Sequence, residues 1–221
     1  MANPTAKDTS ELIKRLSQQA RRKAGRAKPA GADKFLRQYY ANVPPSDLNA
    51  VADKDLLGGA LSVWNAMRTR KPGEIIIRII NPDSAKDGWS CEHTVIEIVN
   101  DDMPFLVDSV TTELNRLNLT VFLVIHPVIQ VPRGKSGRLT EILNADDPSS
   151  GSMAESVMHI EINEQTLPET LETLQERLHE VLGDVRNSVD DWRSMRVQVA
   201  DLIAELDSEP PPLPSSELLE A

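Results

Sequence analysis

The sequence predicts an α+β fold: a four-stranded antiparallel sheet with helices on one face, preceded by shorter helices and followed by one long helix or a helical hairpin. Three observations carry this. Four runs are rich in β-branched residues, at 75–80, 94–100, 119–131 and 157–163. Between the second and third runs, Leu106, Val110, Leu114 and Leu117 step at helical spacing with polar residues between them. After Thr166, apolar residues recur at steps of three and four as far as Leu206.

Ahead of the first strand the chain reads as helical. Leu12, Ile13, Leu16 and Ala20 form a narrow stripe followed by Arg21, Arg22, Lys23, Arg26 and Lys28, which predicts a basic, solvated helix over 1–30. Residues 33–42 place Phe35, Leu36, Tyr39 and Tyr40 on one side, and Val43-Pro44-Pro45 stops that helix. A further helix over 53–70 buries Leu56, Leu57, Ala60, Leu61, Val63, Trp64 and Met67. Gly58-Gly59 in its middle implies close packing against a neighbour rather than a phosphate loop.

The strands follow. Residues 75–80 and 94–100 are joined by about thirteen residues, which suits antiparallel pairing; Ile96 and Ile98 share one face and Glu97 the other. Pro104 suits the first turn of the helix 104–117, with Asp102 or Met103 at its N-cap and Asn118 as a left-handed residue after its end. The strand 119–131 contains Pro127, which assigns it to an edge or a bulge. Residues 132–156 read as a polar loop, and 157–163 as a strand with Met158, Ile160 and Ile162 inward and His159, Glu161 and Asn163 outward. Thr166-Leu167-Pro168-Glu169 is a capping box. The long helix after it has Gly183 and Asn187-Ser188 as its natural break, and Pro210-Pro211-Pro212 closes the chain as a linker or tail.

Composition limits the function classes. The 221 residues carry a net charge of −10, divided between +6 over residues 1–30 and −16 over the remainder. Such an acidic body excludes bulk nucleic-acid binding. No apolar run approaches membrane-spanning length, the first thirty residues contain no secretory h-region, and Cys91 is the one cysteine. These features imply a soluble cytoplasmic protein without disulfides. His93, His126 and His159 lie on or beside three strands, but dispersed histidines usually bond locally, so no metal site is assigned.

Without its first strand the core order is βαββα, a ferredoxin-like unit lacking the last strand. The run 75–80 can take that place, giving the sheet order 75–80, 94–100, 157–163, 119–131. The unit, with its Asp-x-Pro turn, resembles an ACT domain. The stretch from Glu92 through Asn100-Asp101-Asp102-Met103-Pro104-Phe105 to Val110, and the stretches Leu119-Thr120-Val121 and Ile125-His126-Pro127-Val128, are more specific. They resemble the amino-terminal ACT-like region of the large bacterial NAD-dependent glutamate dehydrogenases. Tyr39-Tyr40-Ala41-Asn42-Val43, Arg70-Lys71-Pro72-Gly73-Glu74 and Val189-Asp190-Asp191-Trp192 fit the same family.

The resemblance implies a parent enzyme that oxidises L-glutamate to 2-oxoglutarate and ammonium with NAD, whose dehydrogenase domain lies far downstream. It makes this chain a non-catalytic regulatory and assembly segment. The implied organisation is a basic arm at 1–30, a helical segment at 31–72, an ACT-like domain at 73–186, a helical extension at 187–207 and a tail at 208–221. Catalytic residues, cofactor and metal ligands are not expected within it, since no G-x-G-x-x-G turn follows a strand. Its expected partners are downstream domains, other subunits of a homo-oligomer and an amino-acid effector. In ligand-binding ACT domains the effector meets the turn after the first strand, here Asn100, Asp101, Asp102, Met103, Pro104, Phe105 and Leu106. Phe105 stands where that pattern usually has glycine, and Asp101 and Asp102 suit an ammonium group better than a carboxylate. The competing reading is that Asp102 caps the helix and Phe105 packs in the core. The alternative function is a free-standing amino-acid-sensing or interaction module.

Overall fold

The computed structural model describes residues 4–23, 31–144 and 151–208. In chain order the elements are α1 (Pro4–Lys23), α2 (Ala32–Tyr39), α3 (Pro45–Asn49), α4 (Asp53–Ala66), β1 (Ile76–Ile80), β2 (Thr94–Asp101), α5 (Leu106–Arg116), β3 (Val121–Ile125), β4 (Val128–Val131), β5 (Met153–Ile162) and α6 (Pro168–Ser208). Arg26 and Lys28 of the basic arm and the proline-rich tail fall outside the described residues. The chain divides into two compact units, Met1–Leu182 and Gly183–Ala221.

The sheet is antiparallel in the order β1-β2-β5-β3, with β4 also paired to β5. This is the predicted order with one change. The run 119–131 is two strands rather than one, because Pro127 has no N–H to give the ladder. Its carbonyl still accepts from the Val157 N–H at 3.1 Å. The interruption leaves the register intact: Ile125 faces His159 before it and Val128 faces Ser156 after it.

Strand β5 begins at Met153, four residues earlier than the alternating pattern indicated. Glu155 and Ser156 hid that extension, since two adjacent polar residues read as loop. Both are fully buried, Glu155 against two arginines and Ser156 against His126.

The larger departure concerns the second face of the sheet. Ile96, Ile98, Met158, Ile160 and Ile162 are fully buried, as expected. On their side lie α5 and the first part of α6, joined by the Arg177 guanidinium donating to Glu113 at 2.9 Å; Val110, Leu114, Leu174, Leu178 and Leu182 are buried with them. The opposite face was read as outward. It is covered instead by the amino-terminal helices, whose Phe35, Leu36, Leu57, Ala60 and Val63 share one core cluster with Val99, Val157, Ile125 and Ile129. Glu97 and His159 are therefore interior, at 0% and 4% exposure. The valines beside them were the available signal, because a strand with Val95 and Val99 flanking Glu97 is apolar on both sides.

Helix α1 belongs to this layer as well. Leu12, Ile13, Leu16 and Ala20 are buried, so the stripe predicted for a solvated helix is a packing face. Gly58 packs as expected: a Cβ there would fall 2.2 Å from the Trp89 Cβ. Asn118 is left-handed (φ 56°) and closes a Schellman motif, with Leu119 N–H donating to Leu114 C=O and Asn118 N–H to Asn115 C=O. The expected break at Gly183 or Asn187-Ser188 falls inside α6, which is helical from Pro168 to Ser208.

Candidate functional site

The predicted effector turn leads from β2 into α5, and its first residues are engaged by the protein itself. Asn100 is fully buried, and its side-chain oxygen accepts from the Asp101 N–H at 2.9 Å. Asp101 receives the Arg70 guanidinium at 2.6 Å and the Gly73 N–H at 2.9 Å. Asp102 donates its N–H to the Ala154 carbonyl. Leu106 is buried, whereas Asp102, Pro104 and Phe105 are exposed.

Neither competing assignment for Asp102 and Phe105 holds. The helix starts at Leu106, two residues later than predicted, and its N-cap is Phe105 with no side-chain cap bond. Phe105 is 66% exposed and left-handed, with φ 71°. The backbone thus keeps the conformation that glycine favours, at the position where the ACT pattern usually has glycine, and holds it with a phenylalanine. Left-handed backbone costs a non-glycine residue about 1–2 kcal/mol, and an exposed ring returns little by burial. Phe105→Gly is expected to raise the unfolding free energy by about 1 kcal/mol. A lower urea midpoint would show that contacts of the ring outweigh the backbone cost.

Behind the turn lies a buried charged joint. Asp101 and Glu155 are cross-strand partners, and like charges in that position repel. Arg70, fully buried, donates to both, with Nε at 3.0 Å from Glu155, Nη2 at 2.8 Å from the same carboxylate, and Nη1 at 2.8 Å from the Glu74 carbonyl. Arg133 forks onto Glu155 at 2.6 and 2.7 Å and reaches the Met67 and Gly137 carbonyls. The joint ties the end of α4, the turn into β1, the 132–144 loop and the start of the predicted effector turn to one carboxylate. Gly137 has φ 78°, and a Cβ there would stand 2.6 Å from the Arg70 carbonyl oxygen, so this position admits glycine alone.

On the same face, toward the other end of β5, lies a cavity of about 450 Å3. Its walls include Tyr39, Tyr40, Cys91, His93, His159 and Glu161. Glu161 accepts from His93 Nδ1 at 2.8 Å, with His159 Nε2 at 3.5 Å from its other oxygen. Burial pushes the Glu161 carboxyl up, but the two histidines outweigh it and hold the group down to about 2. The Cys91 thiol is pushed up to about 11, chiefly by burial. Sequence reasoning grouped His93, His126 and His159. The structure brings His93 and His159 together at Glu161 and places His126 elsewhere, 2.7 Å from Ser156. It adds Cys91, which was not grouped with the histidines; the Cys-x-His spacing just before a strand was the available signal.

A family model described as "Glutamate dehydrogenase, ACT1 domain" matches residues 35–178. Among curated proteins, the chain is similar to an NAD-specific glutamate dehydrogenase of Halomonas elongata, with 36% identity over 201 residues, 91% of this chain and 12% of that protein. The NAD-specific glutamate dehydrogenase of Pseudomonas aeruginosa is 33% identical over 186 residues, 84% of this chain and 12% of that protein. That of Mycobacterium tuberculosis is 26% identical over 141 residues, 64% of this chain and 8% of that protein. The chain thus spans about 12% of the length of the first two relatives. No solved structure matches. The matched residues run from within α2 to within α6 and take in the whole sheet, the Arg70 joint and the cavity. The chain belongs to the NAD-specific glutamate dehydrogenase family, of which it carries the ACT1 domain.

Proposed function

We propose that this chain serves as the amino-terminal regulatory and assembly segment of a cytoplasmic NAD-dependent glutamate dehydrogenase, and takes no direct part in the chemistry. The parent reaction would convert L-glutamate and NAD to 2-oxoglutarate, ammonium and NADH. The observation that carries this reading is the ACT1 match over most of the chain, set against relatives roughly eight times as long. The residues do not fit a dinucleotide. The turn from β2 into α5 holds no glycine, and Gly58-Gly59 pack against Trp89 inside a helix. No step is therefore assigned to NAD within this segment. Among the described residues no helix is long and apolar enough to cross a membrane. Reading the gene past codon 221 tests the proposal: a dehydrogenase reading frame should continue, and a stop codon would leave a free-standing module instead.

The assembly role has a surface available. In the second unit, Trp192, Val197, Val199, Leu202 and Ile203 are each more than half exposed along α6. A helix with such a stripe buries it against a partner, and the proposed partner is another subunit or a downstream domain of the parent. The isolated chain should sediment above its monomer mass of 24.5 kDa, and Trp192→Glu with Leu202→Glu should return it to monomer. A strictly monomeric profile for the unaltered chain would contradict self-association.

The regulatory role is the finer part of the proposal. Asn100 to Leu106 would receive an amino-acid effector, with the exposed Asp102 facing its ammonium group. Calorimetry with a panel of amino acids at millimolar concentration should detect heat that Asp102→Asn removes. Absence of heat across the panel would leave assembly as the sole role.

A further inference from the structure

We propose that Cys91, His93 and Glu161 form a binding site for a divalent cation of the zinc class, opening onto the cavity beneath α2 and α4. The site is independent of the effector turn and of the exposed stripe on α6.

The geometry comes first. One ligand atom from each of the three residues lies within 4.8 Å of the other two. Tetrahedral zinc, with bonds of about 2.0–2.3 Å to nitrogen, oxygen and sulfur, sets its ligand atoms about 3.3–3.5 Å apart, so binding would close the widest gap by up to about 1.5 Å and part His93 from Glu161, which stand 2.8 Å apart. The framework beneath them is rigid. Cys91 and His93 precede β2 directly, Glu161 lies on β5, and Val95 of β2 pairs with Glu161 in the antiparallel register. The His93 N–H donates to Cys91 Sγ at 3.4 Å, and the His93 ring stacks on Phe122 with centroids 4.2 Å apart, which fixes its plane.

The donor set selects the metal. A thiolate with an imidazole and one carboxylate suits zinc or cobalt(II); magnesium and calcium take oxygen ligands. Three protein ligands leave a fourth position for water or a small molecule, and here the neighbouring space is the cavity. Binding would exchange the Cys91 thiol proton for the metal.

Two further observations favour a cation over a self-contained hydrogen-bond network. Among the described residues the cavity is lined by Asp47, Asp55, Glu92 and Glu161 and by no lysine or arginine. His159, 4% exposed and also in the lining, has among the described residues no hydrogen-bond partner at Nδ1, and Tyr39 Oη beside it has none either. His159 reaches Glu161 through its other nitrogen, as groups that orient a ligating carboxylate do.

Titration of the full 221-residue chain with cobalt(II) tests the site. Cys91 is the one cysteine, so a thiolate-to-cobalt charge-transfer band in the near ultraviolet reports on it alone. The expected result is such a band saturating at one cobalt per chain, displaced by zinc and unaffected by excess magnesium. Cys91→Ser should abolish the band with the circular dichroism spectrum unchanged. His93→Gln should weaken binding, and His159→Asn, which keeps all three ligands, should weaken it by about 10–100-fold. No charge-transfer band in the unaltered chain, or one that survives Cys91→Ser, overturns the proposal. Glu161→Gln removes a ligand together with the support of two histidines and serves only as a confirming variant where its fold is intact.

Discussion

Arg70→Met lowers the unfolding free energy by about 3–5 kcal/mol, the cost of breaking a buried ion pair from one side, read as a fall in the urea midpoint at neutral pH. The size follows from what methionine leaves behind. It nearly matches the arginine stem in length, so packing changes little. Glu155, fully buried, keeps Arg133 but loses two of its charge-assisted hydrogen bonds, and Asp101 is left facing it across the strands. The Glu74 carbonyl loses a donor as well. Arg70→Lys retains the charge but cannot fork onto Glu155 while reaching Asp101, so it should fall between the two. Arg15→Met is the control: that arginine pairs with Asp53 at the surface, and its loss should leave the midpoint close to wild type. If Arg70→Met cost no more than this control, Arg133 alone would neutralise Glu155. The joint would then position the turn from β2 into α5 without stabilising the fold.

The same joint shows where the sequence was legible and where it was not. Periodicity located β1, β2, α5 and the order of the sheet, because each has a strongly apolar side and Pro127 excluded a central place for its strand. Asn118 was readable because few residues other than glycine accept left-handed backbone. Periodicity failed where burial is polar. Glu155 and Ser156 resemble loop residues until their partners are known, and those partners lie far away in sequence, Arg70 by 85 residues and His126 by 30. Glu97 and His159 read as outward for the same reason. A covering layer made of α2 and α4 is a long-range fact that local alternation does not encode. The cavity is the extreme case. The proposed cation ligands come from a loop before β2 and the carboxy-terminal end of β5, and only strand register brings Cys91 and His93 to Glu161. The proposed effector turn was placed by likeness to a family rather than by its own pattern, and its carboxylate Asp101 is already held by Arg70.

The second large effect is expected at Gly58, and its neighbour supplies the contrast. By helix propensity alone, Gly58→Ala and Gly59→Ala should each stabilise α4 by about 1 kcal/mol. Packing separates them. A Cβ at Gly59 would meet its nearest atom, His159 Cε1, at 3.5 Å, an ordinary contact, so Gly59→Ala should be neutral or stabilising. A Cβ at Gly58 would lie 2.2 Å from Trp89 Cβ and 2.3 Å from its Cγ, the base of the side chain, which cannot rotate away without moving its backbone. Overpacking of this kind costs about 1–3 kcal/mol and occasionally more, and expelling Trp89, buried to 6% exposure, would cost as much as a large core truncation. Gly58→Ala should therefore destabilise by about 2 kcal/mol net or more, with a red shift of tryptophan emission as Trp89 meets water. The strain falls on the loop that carries Cys91 and His93, since Trp89 is two residues from Cys91 and its neighbour Ser90 is held by Asp55 of α4 through an N–H bond of 2.8 Å. Cobalt affinity should fall in Gly58→Ala and persist in Gly59→Ala, although neither residue donates a ligand. Equal stability changes of the same sign in both variants would refute the packing argument, because propensity would then account for the pair.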